Sequence, residues 1–402
     1  MASASSSHAA AAGPGKHLPR WAANANPALA GGAVLALVAA VYATSHGVPR
    51  PFICDAATHP AYGAIAATAS TPTSTGSSTT ASNAALVVAT SAAAAGVKPP
   101  AAADAADYCV AAMRTLLDAK PGVVWPPPCP VPPELARAYT APDGSMPFGA
   151  DWCLATPGEG GFRSWSVAYV EKLRAGLRDG SERGSYTRAE VRQLQELLAA
   201  SAADVAGKVG MVIGTEVPWV EALLLDAGAA TVWTFEYMTI DSHHPRIKTA
   251  TCKTIACAYL DGAFPAVDFI VSFSSIEHSG LGRYGDGLNP DGDRDALAQA
   301  WCMLKPGGAA FIGMPMTCAD AGRIEFNAHR VYGHRRLDYI APHFSFEGFA
   351  GGSCHPWEAP DWYQTVARYR KPADGHLLPL SSSAARLAAM RAAPVVRTGA
   401  AA

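Results

Sequence analysis

The sequence has little charge and no excess of either sign. Its 402 residues include 31 Lys plus Arg against 33 Asp plus Glu, which gives a net charge of -2, and only 16% of the residues are charged. A protein that binds nucleic acids in general needs a basic surface that gathers phosphates. The composition therefore argues against a nucleic-acid partner.

The nine cysteines include no CxxC pair. The sequence thus lacks the signature of a zinc ribbon or of a thioredoxin-type site, and the cysteines are too sparse for a disulfide scaffold. An odd number requires at least one free thiol or an intermolecular bond. Because a free cysteine packs like a small hydrophobic residue, we expect most of them to be buried thiols.

Acidic residues are absent before Asp55, whereas Lys16 and Arg20 precede an apolar run, ALAGGAVLALVAAVYA. This charge asymmetry predicts a cytosolic tail at 1–27 and a signal anchor at 28–44. The protein would then be a single-pass type II membrane protein of the secretory pathway, in the Golgi or the ER. A cleaved signal peptide, which would make the protein secreted, and an organelle transit peptide are the two alternatives.

Composition also divides the rest of the chain. Residues 45–103 are dominated by small residues, Thr and Pro, as in STPTSTGSSTTASNAA, and predict a disordered stalk. Helical patterns and the stretch WPPPCPVPPE at 104–204 predict a helical and Pro-rich collar. A folded α/β domain is expected at 205–372, followed by a disordered tail at 373–402.

Strand and helix patterns alternate within 205–372. The predicted strands are Val209 to Ile213, Ala230 to Phe235, Val267 to Phe273 and Ala309 to Met314. Helical patterns follow the first of these strands and precede the last, near Arg294 to Leu304. This alternation predicts an α/β fold with a Rossmann-like, doubly wound, mostly parallel sheet.

Such sheets bind ligands at the carboxyl ends of their strands. The predicted crevice is therefore formed by the segments Gly214 to Glu216, Glu236-Tyr237, Ser274 to His278 and Pro315. At the end of the second strand, Glu236 is placed to accept the hydroxyl hydrogens of a ribose, or else it caps the next turn. The first turn, GTEVPW, contains no GxGxxG, which disfavours NAD and FAD but not a nucleoside without phosphates.

Several motifs carry a resemblance to a known family. VDFIVSFSSIEHSG and AWCMLKPGGAAFIGMP resemble the fourth strand and the turn into the fifth strand of class I S-adenosylmethionine-dependent methyltransferases. GTEVPWVEALLLDAGA, SSIEHSGLGRYGDGLNPDGD and FNAHRVYGHRRL more closely resemble family 268 of the domains of unknown function, a methyltransferase-like group. The resemblance covers about Val209 to Gly348.

This resemblance implies S-adenosylmethionine as the cofactor. The residues expected to bind it are Gly214, Thr215, Glu216, Glu236, Tyr237, Ser274 and Ser275. The chain departs from the superfamily in the first strand, where Val212 stands in place of the usual acid, and in the turn, where Gly214 is the single glycine. Glu216 is the candidate substitute for that acid.

For a hydroxyl acceptor, methyl transfer needs proximity and a base. His278 is the first candidate base, with Glu277 as its partner, and His329 is the second candidate. The alternatives are that His278 only orders the loop that follows it, and that His329 belongs to a solvated basic helix face with Arg330, His334, Arg335 and Arg336.

The segment GLGRYGDGLNPDGD predicts a glycine-hinged substrate loop, with an exposed turn as the alternative. Its acid spacing does not fit a calcium-binding EF-hand loop, and we expect no metal. The residues predicted to contact the acceptor are Arg283, Tyr284, Asp286, Asn327 and Arg330. Trp362 is either a sugar-stacking face or part of the core.

These observations lead to one main hypothesis and two alternatives. The main hypothesis is a membrane-anchored, S-adenosylmethionine-dependent O-methyltransferase that acts on a small molecule or a glycan. The first alternative is a non-catalytic binding or scaffold protein with a methyltransferase fold, suggested by the altered first turn. The second is a nucleotide-sugar or other nucleoside-ligand enzyme built on the same sheet.

Overall fold

The structure is a computed structural model that describes residues 105–117, 129–141, 144–153, 162–284, 286–350, 362–378 and 395–396. The predicted cytosolic tail (1–27), anchor (28–44) and stalk (45–103) lie outside the described residues, as does most of the predicted C-terminal tail. Within the described part of the chain, every helix is too short or too polar to cross a bilayer.

Helices and strands alternate through most of the described chain. The helices are α1 (Ala105–Leu117), α2 (Pro133–Tyr139), α3 (Val167–Asp179), α4 (Arg188–Ala200), α5 (Ala202–Val205), α6 (Trp219–Asp226), α7 (Cys252–Leu260), α8 (Gly292–Met303) and α9 (His334–Ile340), with a 3₁₀ turn at Ile276–His278. The strands are β1 (Phe148–Asp151), β2 (Arg163–Trp165), β3 (Val209–Ile213), β4 (Thr231–Glu236), β5 (Ile240–Ser242), β6 (Ile247–Thr251), β7 (Val267–Phe273), β8 (Leu304–Met316), β9 (Arg323–Phe326), β10 (His329–Val331), β11 (Ser345–Ala350), β12 (Tyr363–Arg370) and β13 (Val395–Val396).

An eight-stranded sheet has the order β13-β11-β12-β8-β7-β3-β4-β6. Neighbouring strands from β6 to β8 pair in parallel, and β12 pairs antiparallel with both β8 and β11. The chain order of the strands reverses between β3 and β7, which is where open α/β sheets form their ligand crevice. The predicted doubly wound, mostly parallel sheet is confirmed.

The strands of this sheet lie close to their predicted positions. The apolar run VDFIVSF forms β7, the fourth strand of the large sheet in chain order, and LKPGG begins the fifth strand, β8. This is the arrangement that the methyltransferase resemblance implies. β8 is longer than predicted because the LKPGG segment is already paired: Leu304 is in register with Val267.

Side chains of the sheet alternate between two hydrophobic clusters. In β7, Ile270 belongs to the cluster that contains residues of α1, α7 and α8. Its neighbours Phe269 and Val271 belong to the cluster that contains residues of α3, α4 and α6. A parallel strand that is covered on both faces reads as a continuous apolar run, which is why β7 is visible in the sequence. Helices from residues 104–204 thus cover both faces of the sheet.

A disulfide bond ties helix α1 to helix α8, and a second one closes a loop within residues 104–204. Cys109 of α1 is bonded to Cys302 of α8, with a Cα–Cα distance of 5.4 Å, and Cys129 is bonded to Cys153. Cys257 and Cys318 are also disulfide-bonded, whereas Cys252 is free and buried. The expectation that most cysteines are buried thiols is therefore wrong. Spacing in the sequence does not reveal a pair 193 residues apart that folding brings together.

Candidate active site

The turn after β3 is the first segment of the predicted crevice. Gly214 has a φ of 74°, and a Cβ built on it would lie 1.7 Å from Ser275 Oγ. Only glycine fits here, because the backbone is left-handed and the loop after β7 approaches closely. The next residue, Thr215, is buried, and its Oγ1 donates a hydrogen bond to the carbonyl oxygen of Val217 at 2.7 Å. The first turn is therefore tightly shaped by the neighbouring loop.

Glu216 is held by strand β2, which precedes the sheet in the chain. Trp165 Nε1 donates to the carbonyl oxygen of Glu216 at 3.3 Å, and a guanidinium nitrogen of Arg163 lies 3.5 Å from Glu216 Oε2. Strand β2 pairs in parallel with β5. No sequence motif pointed to Arg163 or Trp165, because only the strand pairing brings them to this turn.

Glu236 ends β4, as predicted, and its side chain is half-buried. The backbone N–H of Tyr237 donates to Glu236 Oε2 at 2.7 Å, which is the turn-capping contact considered as an alternative. Burial raises the pKa of Glu236 to about 7, this hydrogen bond acts in the opposite direction, and the charge of Glu216 adds to the rise. The side chain of Tyr237 is 56% exposed. Glu236 therefore ends its strand with a carboxyl group whose pKa is raised, next to an exposed tyrosine.

The loop after β7 contains a buried carboxyl group. Ser274 has a φ of 53°, its N–H donates to the Gly313 carbonyl oxygen at 2.9 Å, and its hydroxyl donates to Glu277 Oε1. Glu277 is only 1% exposed, and its Oε2 has no hydrogen-bond partner in the described part of the chain. Burial raises the pKa of Glu277 to about 7, although the Ser274 hydroxyl and the charge of Arg283 lower it.

His278 has a defined orientation. Its Nδ1 lies 2.6 Å from the carbonyl oxygen of Ala328, and its Nε2 lies 3.7 Å from Glu277 Oε1. Since a carbonyl oxygen only accepts, Nδ1 must carry the proton and Nε2 is left with a lone pair in the neutral ring. Burial lowers the pKa of His278 well below its usual range, and the charges of Arg283 and His329 lower it further. The ring is therefore neutral at physiological pH.

His329 is the second imidazole of the cluster. Its ring centroid lies 6.2 Å from that of His278 and 5.8 Å from that of Trp362. His329 Nε2 lies 3.5 Å from Glu325 Oε2. Burial lowers the pKa of His329 to about 4, against the opposing effect of Glu325. The fold thus brings together both predicted bases, whereas Glu325 had no sequence signal beyond its place four residues earlier.

Residues of the predicted substrate loop line this cluster. Arg283 donates from Nη1 to the Ala328 carbonyl oxygen at 3.1 Å, and the ring of Tyr284 packs edge-on against His278 at 5.4 Å between centroids. Asp286 turns inward: its carboxylate accepts from the N–H of Gly280 at 2.6 Å and from that of Tyr284 at 3.2 Å. Arg283 and Tyr284 face the imidazoles, while Asp286 closes its own loop.

Arg330 forms hydrogen bonds with the backbone of the same loop from the protein interior. It is fully buried, and its guanidinium donates to the carbonyl oxygens of Ser279 at 2.6 Å and Pro290 at 3.1 Å. Its Nε lies 3.6 Å from a carboxylate oxygen of Asp293. Asn327 is also buried and has a φ of 59°. Arg330 therefore holds the loop in place, and acceptor contacts by Asn327 and Arg330 stay predictions.

Arg336 also contacts Asp293, the buried carboxylate near Arg330. Its Nη2 lies 2.6 Å from Asp293 Oδ1, and the side chain is buried. The alternative of a solvated basic helix face is therefore wrong for Arg330 and Arg336, because each contacts the buried carboxylate of Asp293.

The large sheet defines a doubly wound α/β protein, and the candidate site lies at the carboxyl ends of β3, β4 and β7. Residues 207–359 match the profile of a family described as Caenorhabditis protein of unknown function, DUF268. The match covers less than half of the chain and confirms the family resemblance that the motifs carry. No curated protein sequence matches the chain.

The chain also has structural likenesses among solved proteins. One is the 1,6-didemethyltoxoflavin-N1-methyltransferase of Burkholderia thailandensis, with 18% identity over 50% of this chain and 87% of that protein, at a TM-score of 0.34. Another is the N-methyltransferase NodS of Bradyrhizobium japonicum WM9, with 18% identity over 51% of this chain and 98% of that protein, at a TM-score of 0.32. Both structures contain S-adenosylhomocysteine.

Proposed function

We propose that this protein is an S-adenosylmethionine-dependent O-methyltransferase in which His278 is the base. The observation that carries the proposal is the hydrogen bond from His278 Nδ1 to Ala328, which leaves Nε2 as a proton acceptor at the crevice. Tyr284, beside His278, lies among several charged groups: burial raises its pKa to about 12, the charge of Arg283 lowers it, and the charges of Glu216, Glu277 and Glu236 raise it. We propose that the predicted cofactor residues and the predicted base belong to one site.

The residues around the first turn fit a nucleoside cofactor. Gly214 allows the tight left-handed turn against the loop after β7, and the half-buried carboxyl of Glu236 is placed to accept hydrogen bonds from two ribose hydroxyls. Tyr237, Thr215, Ser274 and Ser275 would line the same pocket. When bound, the cofactor would supply an electrophilic methyl group on its sulfonium.

The protein's own groups would handle the proton. A neutral His278 would take the proton of an acceptor hydroxyl on Nε2, and the Ala328 carbonyl oxygen would stabilise the resulting imidazolium through Nδ1–H. Glu277 Oε1, 3.7 Å from Nε2, would stabilise the same charge when ionised. His329 is a second base within the cluster.

The acceptor we propose is a small molecule or a glycan. The rings of Tyr284 and Trp362 lie beside the imidazoles, and aromatic rings suit contact with a sugar or a planar ring. We also propose that the domain lies in a secretory lumen, behind the predicted anchor at 28–44. The disulfides Cys109–Cys302 and Cys129–Cys153 support this location, because such bonds persist in oxidising compartments.

The test is calorimetric titration of the full-length protein with S-adenosylmethionine, S-adenosylhomocysteine and NAD. We expect micromolar binding of the first two ligands and none of NAD. If well-folded protein bound none of the three, the proposal would fail and a non-catalytic binding module would remain. Binding of NAD alone would instead favour another nucleoside-ligand enzyme.

A further inference from the structure

Strand β2 connects the two predicted cofactor loops. The N–H of Arg163 donates to the Thr239 carbonyl oxygen at 3.0 Å, and the N–H of His243 donates to the Trp165 carbonyl oxygen at 2.9 Å. On its other side, the Trp165 indole donates to the Glu216 carbonyl oxygen. Residues 163–165 therefore bridge the turn after β3 and the segment after β4.

This bridge places two opposite charges at the crevice. The Arg163 guanidinium lies 3.5 Å from Glu216 Oε2, and the side chains are 31% and 35% exposed. The pair is therefore accessible to a ligand rather than sealed in the core. The charge of Glu216 also contributes to the raised pKa of Glu236, the proposed ribose acid.

Strand β3 has no charged side chain that could pair with a charged group of a ligand. Val212, at the position of the usual acid, is fully buried in the hydrophobic cluster of α3 and α6. A ligand with a zwitterionic end forms its strongest hydrogen bonds with an anion and a cation of the protein. Among the described residues near the first turn, Arg163 and Glu216 form such a pair.

We infer that Arg163 and Glu216 together bind the amino-acid end of the cofactor. The guanidinium of Arg163 pairs with the α-carboxylate of the ligand, a geometry that suits arginine. The carboxylate of Glu216 accepts from the α-ammonium group. This inference rests on the proposed function, and it adds a binding residue from the segment before the sheet.

Two nucleosides separate this role from a structural one. S-adenosylhomocysteine carries the amino-acid end, whereas 5′-methylthioadenosine has the same thioether nucleoside without it. Titration of full-length Arg163→Met should show S-adenosylhomocysteine affinity lowered about 10- to 100-fold, as expected when a charged hydrogen-bonding partner is lost. Its affinity for 5′-methylthioadenosine should equal that of the wild type.

Other variants serve as controls. Glu216→Gln should show the same selective loss, and Arg163→Lys, which keeps the charge, should lose less. Arg192→Met, on the exposed face of α4, should bind both ligands like the wild type. A half-exposed ion pair contributes little to stability, so all variants should unfold at nearly the wild-type temperature.

The outcomes distinguish the two proposals. Wild-type affinity for S-adenosylhomocysteine in Arg163→Met, or an equal loss for both nucleosides, would overturn this inference and leave the proposed function standing. Failure of the wild type to bind S-adenosylhomocysteine would overturn the proposed function together with this inference.

Discussion

The Nδ1 atom of His278 lies 2.6 Å from the carbonyl oxygen of Ala328, a residue 50 positions later in the chain. This contact decides which nitrogen of the imidazole carries the proton. It joins the 3₁₀ turn after β7 to the connection between β9 and β10, and Arg283 donates to the same oxygen. One backbone carbonyl therefore organises two side chains of the proposed active site.

We predict that His278 is neutral and protonated on Nδ1 from pH 8 to pH 6, because burial holds its pKa well below the usual range. Long-range ¹H–¹⁵N NMR of protein with ¹⁵N-labelled histidine reports the tautomer directly. The signals that disappear in His278→Asn are those of His278. A histidine in a short peptide in the same buffer should titrate at about 6.5.

The same variant tests the role of the base. With any acceptor that the wild type methylates, His278→Asn should lower kcat by about 10²- to 10⁴-fold and leave S-adenosylhomocysteine affinity unchanged. His376→Ala, at an exposed position, should keep full activity. An Nε2–H tautomer, or undiminished kcat in His278→Asn, would remove His278 from the proposed mechanism.

We predict that Gly214→Ala abolishes S-adenosylhomocysteine binding. The added Cβ would lie 1.7 Å from Ser275 Oγ, and the left-handed backbone is itself unfavourable for alanine by about 1–2 kcal/mol. Gly180→Ala is the matched control, since Gly180 has a φ of 75° but no atom within 4 Å of the place that a Cβ would take. Urea unfolding should show Gly214→Ala less stable than Gly180→Ala by about 1–3 kcal/mol. Equal losses of stability in Gly214→Ala and Gly180→Ala would contradict the close approach of Ser275 to Gly214.

We predict that Asp293→Asn lowers the free energy of unfolding by about 3–5 kcal/mol, because Arg330 and Arg336 would be left as uncompensated buried charges. Burial acts to raise the pKa of Asp293, but the two arginines hold it below its usual value. Asp291→Asn is the control: this side chain is 44% exposed and 3.5 Å from Arg336, so the expected loss is at most about 1 kcal/mol. Similar losses in the two variants would show that Asp293 is not the buried counter-ion.

We predict a pH dependence of stability that comes from Glu221. This residue is fully buried, its Oε1 accepts from Thr234 Oγ1 at 2.7 Å, and burial raises its pKa from 4.5 to about 7. Between these values the folded state binds more protons than the unfolded state, so the free energy of unfolding falls as pH rises.

Glu221→Gln removes this ionisation and keeps the acceptor for Thr234. In urea unfolding at pH 8 it should be more stable than the wild type by about 1–3 kcal/mol, with little difference at pH 5. Glu134→Gln, at an exposed position of α2, should not change the pH profile. If Glu221→Gln kept the wild-type dependence of stability on pH, Glu221 would not be the titrating group. The dependence would then come from Glu277 and Glu236, whose raised pKa values act in the same direction.

We predict that the Cys109–Cys302 disulfide stabilises the fold by about 2–5 kcal/mol, because it closes a long loop in the unfolded chain. The double variant Cys109→Ala/Cys302→Ala should melt at a lower temperature than the wild type in oxidising buffer. A reductant should bring the melting temperature of the wild type closer to that of the double variant. Cys252→Ala, which removes the free thiol, should keep its sensitivity to reductant. If the melting temperatures of the double variant and the wild type agreed without reductant, this disulfide would not stabilise the native protein.

The central strands and the crevice were predictable from the sequence. Strands such as β7 are buried on both faces and therefore appear as uninterrupted apolar runs. The ends of those runs place Gly214, Glu236 and His278 at one edge of the sheet, because parallel strands share their carboxyl edge. The positions of the apolar runs in the sequence thus determined the fold class and the loops that form the candidate site.

Tertiary structure alone decided which groups these loops contact. Arg163 reaches Glu216 through the pairing of β2 with β5, and Ala328 reaches His278 across 50 residues. Cys109 reaches Cys302 across 193 residues. The sequence contains no local trace of such contacts, because hydrogen bonds, ion pairs and disulfides depend on distance in space, which only the packed sheet and its helices establish.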